Sequence, residues 1–435
     1  MDFAKARDLF LAGVQDFEAN RFAQAEGGFR ASLALLPGRA STLTNLGATL
    51  VRLARPEEAL GPLQEALAAE PGNLDAWCHR GAALGDLGRD EEALACYDKA
   101  IAIDSAHAAA WYHRGITLGV LHRYDDALAA FEQFLRMEPA HAKGWLLRCE
   151  TLQGLERHEE ALASCEKALG LDPALGEAWS QRGSILRDAR RLKEAAACFE
   201  KAIAHGADAE LNGYFLAALT GVAMPTAAPG RYVEFMFDGY ADKFDEHLVK
   251  VLHYQAHKVL VEGLTGLDGR GAPFASALDL GCGTGLCGPL VKPRAARLDG
   301  VDLSQNMLDK ARALGVYEQL AHADIATFLR ETDQRYDLVL SADVFIYVGD
   351  LEPVFQGVRR VLQSGGIFCF SAECALGSDG FALRPSLRYA HSERYLRELA
   401  GRHGLEVLKL VQHPIREDQR EPVQGLFAYL AAPMR

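Results

Sequence analysis

No run in this 435-residue sequence approaches the ~20 consecutive apolar residues that a membrane-spanning helix needs. Its opening residues, MDFAKARDLF, are charged and amphipathic, where a secretory leader would carry a basic cap and an apolar core. Positive charge is in deficit: 46 Lys and Arg stand against 59 Asp and Glu, for a formal net charge of −13, and both halves of the chain are acidic. Such a surface repels a phosphate backbone, so nucleic acid is not an expected partner. The nine cysteines contain no C-x-x-C pair. Their odd number and scatter point neither to a disulfide framework nor to a cysteine-ligated zinc, and reduced, buried thiols in a cytoplasmic protein are expected. With 49% apolar and 24% charged residues the composition is that of a globular chain, long enough for two or three domains.

Tryptophan is also scarce, but its placement is informative. All four, Trp77, Trp111, Trp145 and Trp179, are 34 residues apart, within the phrases AWCHRG, AWYHRG, GWLLRC and EAWSQRG. The same period runs through Gly13, Gly47, Gly81, Gly115 and Gly183, with Cys149 as the exception, and through Ala25, Ala59, Ala93, Ala127, Ala161 and Ala195. Pro37, Pro71, Pro139 and Pro173 form a further comb. Small residues at fixed offsets let two helices approach, a bulky residue fills the gap beside them, and proline ends the second helix. The pattern resembles a tetratricopeptide array of six repeats over about 6–209, followed by a capping helix, so that 1–224 is expected to form an all-α solenoid. The resemblance implies a concave face lined by Asp75, Cys78, Ala109, Tyr112, Ile116, Lys143, Glu150, Glu177, Ser180 and Arg187, suited to a protein or peptide. Arg80, Arg114, Arg148 and Arg182 replace the leucine usual before the glycine; a packing role is preferred over a carboxylate-binding ladder.

Pro225, Ala227, Ala228, Pro229 and Gly230 interrupt the helical pattern and place a boundary at 224/225. Beyond it, His253 and His257 lie four apart with no third ligand in sight, so no metal site is expected. After Pro273, short apolar strands alternate with helices, as in a doubly wound sheet whose ligand lies at the carboxyl ends of its strands. The first strand runs into LDLGCGTGLCG, in which Gly283 to Gly288 also satisfies the dinucleotide fingerprint G-x-G-x-x-G. Three features favour a different nucleoside. Asp279 precedes the glycines, where a pyrophosphate would meet a carboxylate but an ammonium would find a partner. Asp302 and Asp324 end the second and third strands as acids able to accept from hydroxyl and amino donors. GLEVLKLVQHPI and PVQGLFAYLAAP then follow one another with no helix between them and must pair as an antiparallel hairpin.

Residues 225–435 thereby resemble the class I S-adenosylmethionine (SAM)-dependent methyltransferases, with an α/β Rossmann-like domain following the solenoid. The resemblance places Gly281, Cys282, Gly283 and Gly285 around the nucleoside and amino-acid parts of SAM. It puts Asp302 and Leu303 at the ribose, Asp324 and Ile325 at the adenine, Ser341 at the end of the fourth strand, and Tyr240 in a lid segment spanning 230–264. Because SAM brings its own electrophile, no obligatory base is expected. Asp343 and Tyr347 are catalytic candidates by strand-end position, and His391 is a third, on the segment expected to cover the substrate together with Arg384, Arg388 and Tyr389. The chain as a whole resembles bacterial methyltransferases fused to tetratricopeptide repeats. The leading expectation is an enzyme whose array recruits a protein or peptide. Alternatives are an enzyme acting on a small metabolite with the array used for assembly, and a catalytically silent adaptor that senses SAM.

Overall fold

The computed structural model describes residues 2–238, 248, 252–267, 273–375, 379–418 and 421–434. They form two compact units, Met1–Ala207 and Asp208–Arg435. The first is six antiparallel helix pairs: α1 (Asp2–Glu18) with α2 (Phe22–Leu35), α3 (Ala40–Arg52) with α4 (Pro56–Ala69), and α5 (Leu74–Asp86) with α6 (Asp90–Ile103). These are followed by α7 (Ala108–Val120) with α8 (Tyr124–Met137), α9 (Ala142–Gly154) with α10 (His158–Leu171), and α11 (Gly176–Asp188) with α12 (Leu192–Ala204).

The glycine comb is explained by the ring that faces it. A Cβ placed on Gly81, Gly115 or Gly183 would lie 2.7 Å from a ring carbon of Tyr97, Phe131 or Phe199, respectively. Each interior glycine costs about 1 kcal/mol of helix propensity, and the buried ring it admits offsets that. In the fifth repeat both positions change together: Cys149 takes the glycine's place, Cys165 takes the ring's, and the two form a disulfide with Cα atoms 5.7 Å apart. This corrects the expectation of uniformly reduced thiols. The close approach that elsewhere suits a glycine and a ring here brings two Cβ atoms within bridging distance.

The arginine ladder is structural. Arg80, Arg114, Arg148 and Arg182 stack over the tryptophan three residues earlier at 5.7–6.0 Å. Three of them also pair with an acid of the preceding repeat: Arg114 with Asp98 at 2.8 Å, Arg148 with Glu132 at 3.0 Å and Arg182 with Glu166 at 3.5 Å. Each indole N–H donates to a backbone carbonyl six residues back, of Pro71, Ser105, Pro139 or Pro173, at 2.9 Å. Cys78, expected on the open concave face, is buried.

The second unit starts earlier than the proline-rich break suggested. Helix α13 (Ala209–Thr220), read as a cap on the solenoid, belongs to it, and its Tyr214 hydroxyl donates to the Leu387 carbonyl at 2.5 Å. Helices α14 (Gly230–Asp238) and α15 (Ala256–Glu262) precede a sheet of nine strands. Its parallel part runs in the order β3 (Gln319–His322), β2 (Ala295–Asp302), β1 (Phe274–Leu280), β4 (Tyr336–Ser341), β5 (Leu362–Cys374). Strands β6 (Phe381–Leu383) and β7 (Tyr389–His391) form a small hairpin on the end of β5. Strands β8 (Glu406–Asp418) and β9 (Glu421–Ala431) pair antiparallel, and β9 adds antiparallel to β5 from Ile367↔Ala431 to Glu373↔Gly425. Alternation within the strands makes both faces apolar. Leu278, Leu280, Phe368 and Phe370 pack in one core, and Ala277, Leu338, Leu340, Ile367 and Cys369 in the other. Among the described residues no helix is long and apolar enough to cross a membrane.

Candidate active site

The carboxyl ends of β1, β2 and β4 open into a cavity of about 600 Å³, within the range of small-molecule sites. Its floor is the turn after β1. Gly281 has φ +67°, and a Cβ there would collide with the Val344 side chain, so only glycine fits. A Cβ on Gly283 would meet no atom within 4 Å and would project into the space the cavity keeps clear. One wall is α14, whose Gly230, Val233, Met236 and Phe237 line the cavity at helical spacing. The helix is tied to the turn after β2: the Ser304 hydroxyl donates to Asp238 Oδ1 at 2.5 Å, and Asn306 Nδ2 donates to the Asp238 carbonyl at 3.1 Å.

Four carboxylates face this space. Asp302 Oδ2 accepts from the Gly283 N–H at 2.8 Å and Oδ1 from the Ser304 N–H at 2.9 Å, so the ribose candidate is held rigidly by backbone. Asp324 Oδ1 caps the helix Ile325–Glu331, accepting from the Thr327 N–H at 2.9 Å. Helix α17 spans Gln305–Ala313 and α18 spans Ile325–Glu331, with α16 (Gly288–Val291) a single turn before them. Asp279 is buried and accepts from the Tyr317 hydroxyl at 2.8 Å. Burial pushes its carboxyl up to about 7, the Tyr317 bond opposing and the charge of Asp302 adding to the rise. The fourth, Asp343, has φ +60°, a backbone conformation tolerated by aspartate and concentrated at functional sites. Its Oδ2 accepts from Arg416 Nη1 at 2.6 Å. Arg416 also donates to Glu373, which accepts from Arg384 at 3.0 Å. Burial works against the Arg416 charge, and Asp343 and Glu373 hold it up.

This donor set fits SAM and not a dinucleotide: acids at four strand ends repel a pyrophosphate but suit a sulfonium and an ammonium, with Asp302 left to take ribose hydroxyls. Gly281, Cys282, Gly283, Leu303, Ile325, Asp343 and Tyr347 all stand in the cavity wall with Asp279, Asp302 and Asp324. Three candidates do not. Gly285, at φ +92°, packs against Leu314 and Tyr317. The Ser341 hydroxyl donates to the Leu280 carbonyl at 3.0 Å inside the sheet. His391 is fully buried in β7, its Nε2 bonded to the Gly349 carbonyl at 3.0 Å and its ring stacked on Tyr395, which gives it a packing role. Tyr240 lies outside the described residues. The His253/His257 pair is not on one helix: His253, at φ +49°, binds Glu417 at 3.0 Å, and His257 stacks on Tyr254 in the cavity wall. Tyr254, Tyr317 and Arg416 were not anticipated. Neither Arg416, which opens the charged run Arg416-Glu417-Asp418 at the end of β8, nor Tyr317, just before β3, had a sequence signal.

A model of the methyltransferase domain matches residues 278–370, and tetratricopeptide models match 39–69, 74–107, 112–175 and 152–211. Among characterised proteins, the chain is 32% identical over 34% of its length to a malonyl-(acyl-carrier protein) O-methyltransferase of Salmonella typhimurium, of which 59% is covered. It is 29% identical over 30% of its length to a sterol 24-C-methyltransferase of Gibberella zeae, of which 33% is covered. It is 36% identical over 21% of its length to a trans-aconitate 2-methyltransferase of Rhizobium rhizogenes, of which 36% is covered. The chain thus spans between a third and three fifths of the length of these relatives. Among solved structures, MamA of Desulfovibrio magneticus RS-1, from residue 41 to its end, is 28% identical with a TM-score of 0.37, covering 38% of this chain and 94% of the solved one. An S-adenosylmethionine-dependent methyltransferase of Clostridium acetobutylicum is 18% identical with a TM-score of 0.36, covering 45% and 99%. The chain is a fusion of a tetratricopeptide-repeat array with a methyltransferase domain whose cofactor is S-adenosylmethionine.

Proposed function

We propose that this protein transfers a methyl group from SAM to an acceptor carried by, or forming part of, a protein that its repeat array recruits. The observation that carries the catalytic half is the cavity wall, where backbone-anchored Asp302 and the cleared space over Gly283 meet a second region built from Asp343 and Tyr347. SAM, when bound, supplies an electrophilic methyl on a sulfonium. The chain's own residues then orient it, exclude water and hold the acceptor in line. Arg416 fixes Asp343 and offsets its charge beside the acceptor. The array supports the recruiting half through its family's habit of binding proteins and the mixed chemistry of its concave residues, among them Tyr112 and Glu150. One relative, by its name, methylates an acyl group held on a carrier protein, which is the kind of acceptor an array would deliver.

The test is transfer of labelled methyl from SAM into a cell lysate by the full chain. A labelled protein band is expected, with Asp302→Ala weakening S-adenosylhomocysteine (SAH) binding by about 1–3 kcal/mol, the scale of a lost charged hydrogen bond. The double variant Tyr112→Ala, Glu150→Lys should abolish the band while SAH affinity is unchanged. Label confined to small molecules would retain the enzyme and reject recruitment.

A further inference from the structure

Arg388 lines the cavity half-buried, and no carboxylate partner stands beside it among the described residues, whereas Arg384 and Arg416 on neighbouring elements are both ion-paired. An exposed arginine without a partner is ordinary; one half-buried in the wall of a ligand cavity is placed to pair with an anion that enters it. Its mounting is rigid. The turn between β6 and β7 is closed by the Arg384 N–H donating to the Arg388 carbonyl at 2.9 Å. It is pinned on one side by Tyr214 to the Leu387 carbonyl at 2.5 Å and on the other by the Tyr389 hydroxyl to the Pro225 carbonyl at 2.8 Å. Tyr347, in the same wall, has a hydroxyl that makes no hydrogen bond among the described residues, and its phenol feels the Arg388 charge. Burial keeps that phenol protonated, so it remains a donor. The acids of the wall are by contrast already accepting: Asp279 from Tyr317, Asp302 from Gly283 and Ser304, Asp324 from Thr327, and Asp343 from Arg416. Around these two donors the wall is apolar, with Val233, Met236, Leu252 and Ile346.

From this donor set, and resting on the methyltransferase reading above, we infer that the acceptor is a carboxylate on an apolar body, held by Arg388 and Tyr347 and methylated on oxygen. The balance of the step suits a wall whose acids are committed. A carboxylate oxygen bonds to the methyl carbon as the sulfur–methyl bond breaks, and the bonding pair stays on sulfur. The anion and the sulfonium are both neutralised, giving a methyl ester and SAH, with no proton to remove.

Calorimetric titration of the SAH-saturated full chain tests the site, with octanoate as probe and octanamide and octylamine as controls. Octanoate should bind at least about tenfold more tightly than either control, as expected for a charge-assisted pair. Arg388→Gln should erase that preference while leaving SAH affinity unchanged, and Arg388→Lys should retain part of it. Equal binding of acid and amide overturns the inference. So does an Arg388→Gln variant that loses SAH and keeps octanoate, which would assign Arg388 to the cofactor's own carboxylate. In the lysate reaction, the incorporated label should be released as methanol by mild alkali; alkali-stable label overturns the inference in favour of a protic acceptor, with His257 as the base in the wall. Failure of the wild-type chain to bind SAH would instead defeat the methyltransferase reading, and acid-over-amide preference in the unliganded chain would still decide the anion site.

Discussion

A carboxyl group enclosed beside a second acid titrates late, and Asp279, at about 7, does so within the physiological range. For the folded chain by itself this is a liability. The folded state holds its proton from the usual carboxylate range up to about 7, so the contribution of Asp279 to stability falls as pH rises through that window. A ligand bearing a sulfonium and an ammonium prefers the ionised form. SAM should therefore bind with nearly constant affinity above pH 7 and lose up to about tenfold per pH unit below it, and Asp279→Asn should flatten the profile. Calorimetry in buffers of different ionisation enthalpy would register the released proton directly. His391 shows the opposite sign. Burial lowers its pKa to about 4, so it is neutral in the folded protein, and its contribution is lost as pH falls below the usual imidazole range toward 4. Urea unfolding at pH 5 and pH 8 should show that loss, reduced in His391→Phe, while methyl transfer at neutral pH should survive the substitution in any molecules that fold. A catalytic base would not survive it.

Among the elements, the fifth helix pair tests the logic of the repeat. Cys149→Gly alone leaves a gap beside Cys165, and Cys165→Phe alone drives a ring into the Cys149 side chain, so each should destabilise the array. Together they rebuild the glycine and ring of the other repeats, and a double-mutant cycle measured against the wild-type chain with its Cys149–Cys165 bridge reduced should give a coupling of about 1–3 kcal/mol in favour of the pair. A simple sum of the single effects would mean that the comb is not a packing unit. A second comb lies in the turns within each helix pair: Asn20, Ala54, Gly88, His122, Glu156 and Arg190 all have φ between +55° and +69°, and glycine occupies one of the six. Glu156→Gly or Arg190→Gly should raise stability by about 0.5–1 kcal/mol, the left-handed penalty less the entropy of glycine. These elements also show what the sequence made legible. The period of 34 revealed the helix pairs, because each residue of the comb has a local steric role. Alternating apolar strands ending in Asp279, Asp302 and Asp324 revealed the sheet and three acids that line its cavity. The allegiance of α13 was hidden, since it rests on Tyr214 and Phe215 meeting residues far along the chain: the Leu387 carbonyl and the rings of Tyr232 and Tyr389. The Asp343–Arg416–Glu373 network was hidden for the same reason, being assembled from three strand ends brought together by the antiparallel hairpin. The Cys149–Cys165 bridge was legible in principle: both cysteines depart from their combs in a single repeat.

For the molecule as a whole, each of the two units has apolar clusters of its own among the described residues. The array is a one-dimensional stack in which each helix pair is supported by its neighbours, and it contains the disulfide. The unit from Asp208 onward contains the cofactor cavity and the described free cysteines Cys282, Cys287, Cys369 and Cys374. SAH binds the folded cavity and not the unfolded chain, so at a concentration about 100 times its Kd it should add about 2.7 kcal/mol to the unit that binds it. A reductant removes the Cys149–Cys165 cross-link, whose short loop constrains the unfolded array by about 3 kcal/mol in the chain-entropy account. Differential scanning calorimetry of the full chain should then resolve two responses. SAH should move one transition upward and leave the other, and reductant should move the second downward and leave the first. A single transition that shifts with both would mean that the array and the methyltransferase domain unfold as one, and would make the redox state of the repeats a determinant of cofactor affinity.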